Sequence, residues 1–106
     1  MRVLFDQGTP GPLRHAITSH TVETAYERGW STLDNGDLIA AAESAGFEVL
    51  LTTDKNLKYQ QSLVGRRIAI LVLQTTSWPR LQNTVPKILA AVDGARPGCY
   101  TEIGTD

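Results

Sequence analysis

Val49-Leu50-Leu51-Thr52-Thr53-Asp54-Lys55-Asn56-Leu57 passes from a short apolar run to two hydroxyls and a carboxylate where helical spacing begins. A run this brief and this bounded reads as a strand buried on both faces. A second run, Val3-Leu4-Phe5, ends the same way in Asp6. In an open parallel sheet, ligands bind in the crevice beyond the carboxyl ends of the strands, at the point where strand order reverses. Two aspartates delivered to those ends are therefore expected to meet across a crevice, and a metal ion is the natural reason for them to do so.

Working outward, the segment before this stretch supplies a helix. Asp34 to Gly46 carries Leu38, Ala41, Ala42 and Ala45 at helical spacing, with Gly46 at the expected stop. Asp34 followed by Asp37 resembles a capping box, although the second position of a true box is Glu or Gln. Farther upstream, Thr9-Pro10 reads as an N-cap with proline in the first helical position, opening a short helix through Ile17. His20 to Thr24 is expected to form the second strand, and Ala25 to Trp30 a single helical turn stopped by Gly29.

Downstream, Asp54 is placed to cap a helical stretch from Lys55 to Leu63. Ile68 to Leu73 is the most continuous apolar run and so a central strand. Ser77-Trp78-Pro79 restarts a helix in which Leu81, Val85, Ile88, Leu89 and Val92 share a face, with a break expected near Pro86. Tyr100 to Ile103 can add a last strand. Strands alternating with helices give an α/β fold with a mainly parallel sheet, and right-handed crossovers allow the order 2-1-3-4 with Asp6 and Asp54 side by side.

The chain has 106 residues, 42% hydrophobic and 20% charged, which suits one globular domain and argues against disorder. The single cysteine, Cys99, cannot form an internal disulfide, and no apolar stretch approaches the roughly 20 residues that span a bilayer. A cytoplasmic protein with no membrane segment is expected. Net charge is −1, so no global basic balance points to nucleic acid. The distribution is uneven, however. Seven acids and one base lie between Glu23 and Asp54, whereas six bases and no acid lie between Lys55 and Val92. That split can set a positive rim beside an acidic centre.

Magnesium is held by one or two carboxylates plus substrate phosphate and water, so two or three aspartates suffice. Clustered carboxylates repel one another, and a bound cation removes that cost. Asp37 is the third candidate because the start of its helix can face the same strand ends. Each acid also has a structural use: Asp6 in a turn, Asp54 at a cap, Asp37 at the positive end of a helix dipole. His15 and His20 lack metal-ligand spacing and read as surface or capping residues. Trp30 and Trp78 read as packing residues. No Walker loop, dinucleotide fingerprint or nucleophile elbow is present.

Strand-Asp6, Pro10 opening the first helix, Gly36-Asp37 before an Ala-rich helix, and Leu50-Leu51-Thr52-Thr53-Asp54 followed by an aliphatic strand together resemble the small single-domain PIN-like proteins. These are similar to the toxin ribonucleases of bacterial toxin-antitoxin pairs, and the resemblance spans nearly the whole chain. It implies a three-layer α/β/α domain over residues 1–106 and a magnesium- or manganese-dependent ribonuclease site at Asp6, Asp37 and Asp54. It also implies RNA as substrate, an antitoxin-like partner and a homodimer. On this view Lys55, Lys58 or Arg66 steadies phosphate. Relatives commonly carry acids where this chain has Gln7 and Asn56, so two charged ligands are replaced by neutral amides that can serve only as auxiliaries. The competing expectation is a catalytically silent PIN-like module that binds a partner protein or RNA.

Overall fold

The computed structural model describes residues 1–57 and 65–104. Its strands are β1 (Arg2–Phe5), β2 (Thr21–Thr24), β3 (Val49–Thr52), β4 (Ala69–Leu73) and β5 (Tyr100–Ile103), and they form one sheet in the order β2-β1-β3-β4-β5. Every pairing is parallel. The strand order matches the expected 2-1-3-4, with the last strand added beside β4. All five residues of β4 and all four of β3 are buried, because a parallel sheet is covered on both faces by its crossover helices.

Alternation along the strands sorts the core into two layers. Val3, Phe5, Val49, Leu51, Ala69, Leu71 and Leu73 point to one face, where they meet Leu13 of a 3-10 helix (Gly11–Ala16) together with Leu81, Ile88 and Val92. Leu81 lies on α2 (Trp78–Gln82), and Ile88 and Val92 on α3 (Val85–Asp93). Leu4, Leu50, Ile70 and Val72 point to the other face, against Leu38, Ile39 and Ala42 of α1 (Asn35–Ser44). The result is an α/β/α sandwich. Each fully buried Leu or Ile in it contributes about 1.5–3 kcal/mol relative to exposure.

Several local expectations are corrected by this packing. The buried face of α1 is Leu38, Ile39 and Ala42, with Ile39 completely inaccessible; the small Ala41 and Ala45 sit toward its margin. The first helix is of the 3-10 type, with Pro10 as its cap and Pro12 near its start. Thr9 does not cap it, because the Thr9 hydroxyl is buried and turned back toward the sheet, where it donates to the Leu51 carbonyl at 2.8 Å. The expected break near Pro86 falls just ahead of it: α2 and α3 are separate, and Pro86 occupies the first turn of α3, where an amide hydrogen has no partner to lose. Gly29 ends the turn after β2 with φ of +76°, a conformation that favours glycine. Most of the expected helix from Lys55 to Leu63 lies outside the described residues.

Candidate functional site

β1 and β3 pair in register up to Phe5 and Leu51, and the Asp6 amide still donates to the Leu51 carbonyl at 3.1 Å. Asp6 therefore emerges beside Thr52. This registration corrects the expectation that Asp6 and Asp54 stand side by side. The neighbour of Asp6 is Thr52, whose hydroxyl donates to Asp6 Oδ2, while the same oxygen accepts the Asp54 amide at 3.1 Å. One buried hydroxyl thus joins the ends of both strands.

Asp6 Oδ1 takes three further donors: the Gly8 amide at 3.1 Å, the Thr9 amide at 3.1 Å and the Thr9 hydroxyl at 2.8 Å. An aspartate that accepts from the residues two and three positions on makes the turn out of β1, as its type favours. Gly8 is required by space. A Cβ there would run into the Thr53 hydroxyl.

Asp54 is held differently. Its Oδ1 accepts the Asn56 amide at 2.9 Å, closing its own turn, and its Oδ2 accepts the Asn35 side-chain amide at 2.6 Å. Asn35 is the first residue of α1, so the carboxylate is tied to that helix start, where the dipole favours negative charge. Asp34 caps the helix by accepting the Asp37 amide at 2.9 Å, and Asp37 itself is exposed in the first turn.

Asp6, Gln7, Thr9, Thr24 and Tyr26 line a cavity of about 390 Å³. An adjoining one of about 160 Å³ shares Asp6 and Gln7 and reaches Trp30, Leu33 and Asn35. Together they form the crevice at the carboxyl ends of β1 and β2. A further cavity of about 380 Å³ opens among Gly46, Phe47, Arg67 and Arg96. It lies at the amino ends of the strands and includes none of the candidate acids.

The donor set can be tested against a cation. Among the described residues, no three His, Cys, Asp or Glu side chains form a group that could hold a metal ion, so Asp6, Asp37 and Asp54 do not compose a three-acid cage. Asp6 Oδ2 and both oxygens of Asp54 each accept one bond, which leaves lone pairs on both residues. Of the three acids Asp6 lines the crevice, whereas Asp37 and Asp54 line neither of its cavities, so the donor set suits at most a cation held by one or two carboxylates and completed by water and phosphate.

Among the expected phosphate contacts, Arg66 is committed elsewhere. Its guanidinium pairs with Glu43 at 3.1 Å, and Glu43 also accepts the amides of Arg67 and Ile68. Burial pushes the Glu43 carboxyl up, but these donors outweigh it and hold the group below its ordinary range. Lys55 is exposed beside Asp54, Lys58 lies outside the described residues, and the side chains of Gln7 and Asn56 are exposed. Gln7 lines both parts of the crevice. His20 is no ligand here; it joins Asp93 on α3 at 2.6 Å.

Asn35 and Tyr26 carry no sequence signal of their own, and Thr9 and Thr52 read as a cap and a strand end, not as partners of Asp6. Thr52 had a signal: a hydroxyl at the end of an otherwise apolar buried strand must find a partner. No helix among the described residues is long and apolar enough to cross a membrane. No family model, curated protein or solved structure matches the chain.

Proposed function

We propose that the protein is a PIN-like, divalent-metal-dependent ribonuclease that hydrolyses RNA phosphodiester bonds in the crevice lined by Asp6, with Asp54 contributed from the neighbouring strand end. The observation that carries this reading is the Thr52 hydroxyl, which ties the Asp6 carboxylate and the Asp54 amide together at the carboxyl ends of two central parallel strands. That is the place in an open α/β sheet where ligands are received. Asp6 and Asp54 would hold magnesium or manganese. When bound, the ion supplies an acidified water and stabilises charge on a phosphate oxygen.

The protein's own groups do the rest. Thr52, Gly8 and Thr9 fix the Asp6 carboxylate, so it meets a ligand in one orientation. Asn35 fixes that of Asp54. Gln7 offers an amide to the sugar-phosphate chain, Lys55 a positive charge, and Asp37 a hydrogen-bond acceptor for water near the start of α1. On this reading the chain works in the cytoplasm, with an antitoxin-like protein as its partner.

Purified protein should cut single-stranded RNA when magnesium or manganese is present. Asp54→Asn should abolish cutting while leaving the circular dichroism and melting temperature close to those of the native chain. Equal cutting by that variant removes the assignment.

A second reading has one specific observation in its favour. Three protein donors already converge on Asp6 Oδ1, and Gln7 and Asn56 add no charge. Such a centre suits a catalytically silent module that binds RNA or a partner protein. Calorimetry with millimolar manganese separates the two: heat of binding that vanishes in Asp54→Asn supports the nuclease, and no heat supports the silent module.

A further inference from the structure

We infer that Tyr26 is a stacking platform for an unpaired base of single-stranded RNA seated in the crevice beside Asp6. The inference deepens the RNA reading above and rests on it, although it does not require that the RNA be cut. Tyr26 is 79% exposed; it and Leu33, at 36%, are the large hydrophobic residues exposed among the described residues. Both stand on the rim of the crevice, Tyr26 with Asp6, Gln7, Thr9 and Thr24, and Leu33 with Asp6, Gln7 and Asn35.

Among the described residues, the two tryptophans are engaged elsewhere on at least one side. Trp30 meets Phe47 edge to face with centroids 6.1 Å apart, and the Arg28 guanidinium lies 4.8 Å over its ring. Trp78 packs against the core on the opposite face of the sheet. Of these three, Tyr26 is the exposed ring, and it shares its cavity with Asp6.

The backbone that carries Tyr26 is fixed by a turn. The Thr24 amide donates to Glu27 at 2.9 Å, and the Glu27 amide donates back to the Thr24 hydroxyl at 3.1 Å. Arg14 reaches the same carboxylate, and this bond, followed by that from the Thr24 amide, draws the Glu27 carboxyl down to about 2. These bonds hold the backbone of the turn, so the Tyr26 Cα is presented at a fixed place on the crevice rim while its ring is free to turn onto a base. The adjoining cavity of about 390 Å³ is of nucleotide size, and its polar lining of Asp6, Gln7, Thr9 and Thr24 can meet the edges of a base.

These surroundings favour RNA over a protein partner. Protein hot spots are centred in dry, closely packed patches, whereas Gln7 across the cavity and Glu27, Arg28 and Gly29 next along the chain are exposed and mostly polar. Stacking on an aromatic face is tolerant of sequence, so the ligand class is single-stranded RNA of no fixed sequence.

The test measures binding apart from cleavage. Short single-stranded RNA carrying one 2-aminopurine is titrated with Asp54→Asn and with Asp54→Asn/Tyr26→Ala, in magnesium buffer. Stacking predicts quenching of the 2-aminopurine by the first protein, loss of that quenching in the second, and about tenfold weaker binding in the second. Tyr26→Phe and Tyr26→Trp in the same background should restore both signals. Equal affinity and equal quenching with and without the tyrosine overturn the inference, as does a failure of Asp54→Asn to bind RNA. A Tyr26→Ala change that leaves RNA binding intact but alters self-association in sedimentation overturns it too, and assigns the ring to a protein contact. Cleavage by the native chain is scored separately: binding with quenching but no cutting ends the ribonuclease reading and leaves the platform standing, while cutting indifferent to Tyr26 does the reverse.

Discussion

The Thr52 hydroxyl donates to the Asp6 carboxylate across two neighbouring strands and accepts the Asp54 amide in the same place. Thr52 is fully inaccessible. Its hydroxyl is therefore shielded from water, while its partners Asp6 and Asp54 are half-buried, and a polar group left unpaired there costs part of its desolvation.

Thr52→Val keeps the shape of the side chain and removes both bonds. The Asp54 amide loses its acceptor and Asp6 Oδ2 its donor, so the variant should be destabilised by about 1–3 kcal/mol. Thr52→Ser keeps the hydroxyl and should recover most of that loss. Urea unfolding at neutral pH checks both. A valine variant as stable as the native chain would show that the strand ends do not depend on this hydroxyl.

The loop after β1 is sensitive to volume at Gly8. Its φ is not in the left-handed region, so the demand for glycine is steric alone: a Cβ would collide with the Thr53 hydroxyl. Gly8 is exposed and Thr53 half-buried, so the hydroxyl can turn aside, and Gly8→Ala should cost about 1 kcal/mol, the low end of overpacking. Thr53→Ala removes the obstructing oxygen. The double variant should therefore be more stable than Gly8→Ala alone, a non-additivity that a double-mutant cycle in urea measures directly.

Glu43 closes the amino end of β4 and should make stability depend on pH. Its carboxyl is 16% exposed, and its net pKa is lowered from the ordinary 4.5 because the Arg67 and Ile68 amides and the Arg66 guanidinium outweigh the upward push of burial. A lowered folded pKa means that the unfolded chain binds the proton more readily. The stabilisation is thus present above pH 4.5 and is lost as pH falls through the folded value. Glu43→Gln should be less stable than the native chain by about 1–2 kcal/mol at neutral pH. The gap should narrow below pH 4.5. Melting temperatures of both proteins across that range give the answer, and a constant gap would contradict it.

The sheet was legible because its signal is redundant. Three apolar runs, ending at Phe5, Leu51 and Leu73 and separated by helical spacing with glycines at the stops, mark the central strands, and right-handed crossovers then allow the order found. The site was less legible, for a geometric reason. Asp6 and Asp54 could be assigned to strand ends from the sequence, but their relation depends on registration between β1 and β3, which sets Asp6 level with Thr52 and leaves Asp54 two residues beyond. Arg66 shows the same limit: its charge was visible, but its pairing with Glu43 across 23 residues was a product of packing. Tyr26 was invisible for the opposite reason. Its exposure comes from a turn pinned by Thr24 and Glu27, and residue type alone does not distinguish an open ring from a packed one.

Asn35 offers a test of how close the centre stands to cation binding. Its side-chain amide lies 2.6 Å from Asp54 Oδ2 at the start of α1. Asn35→Asp would set a second carboxylate against the first, replacing a donor by a repelling charge. In the absence of divalent ions the variant should melt below the native chain, because two carboxylates at this distance disfavour joint ionisation. Added manganese should then raise its melting temperature more than that of the native chain, since ligand binding to the folded state stabilises by mass action and the extra charge tightens the site. Asp54→Asn in the same background should erase the manganese response. Parallel thermal scans with and without manganese decide the matter, and an equal response in all three proteins would detach Asp54 from any cation.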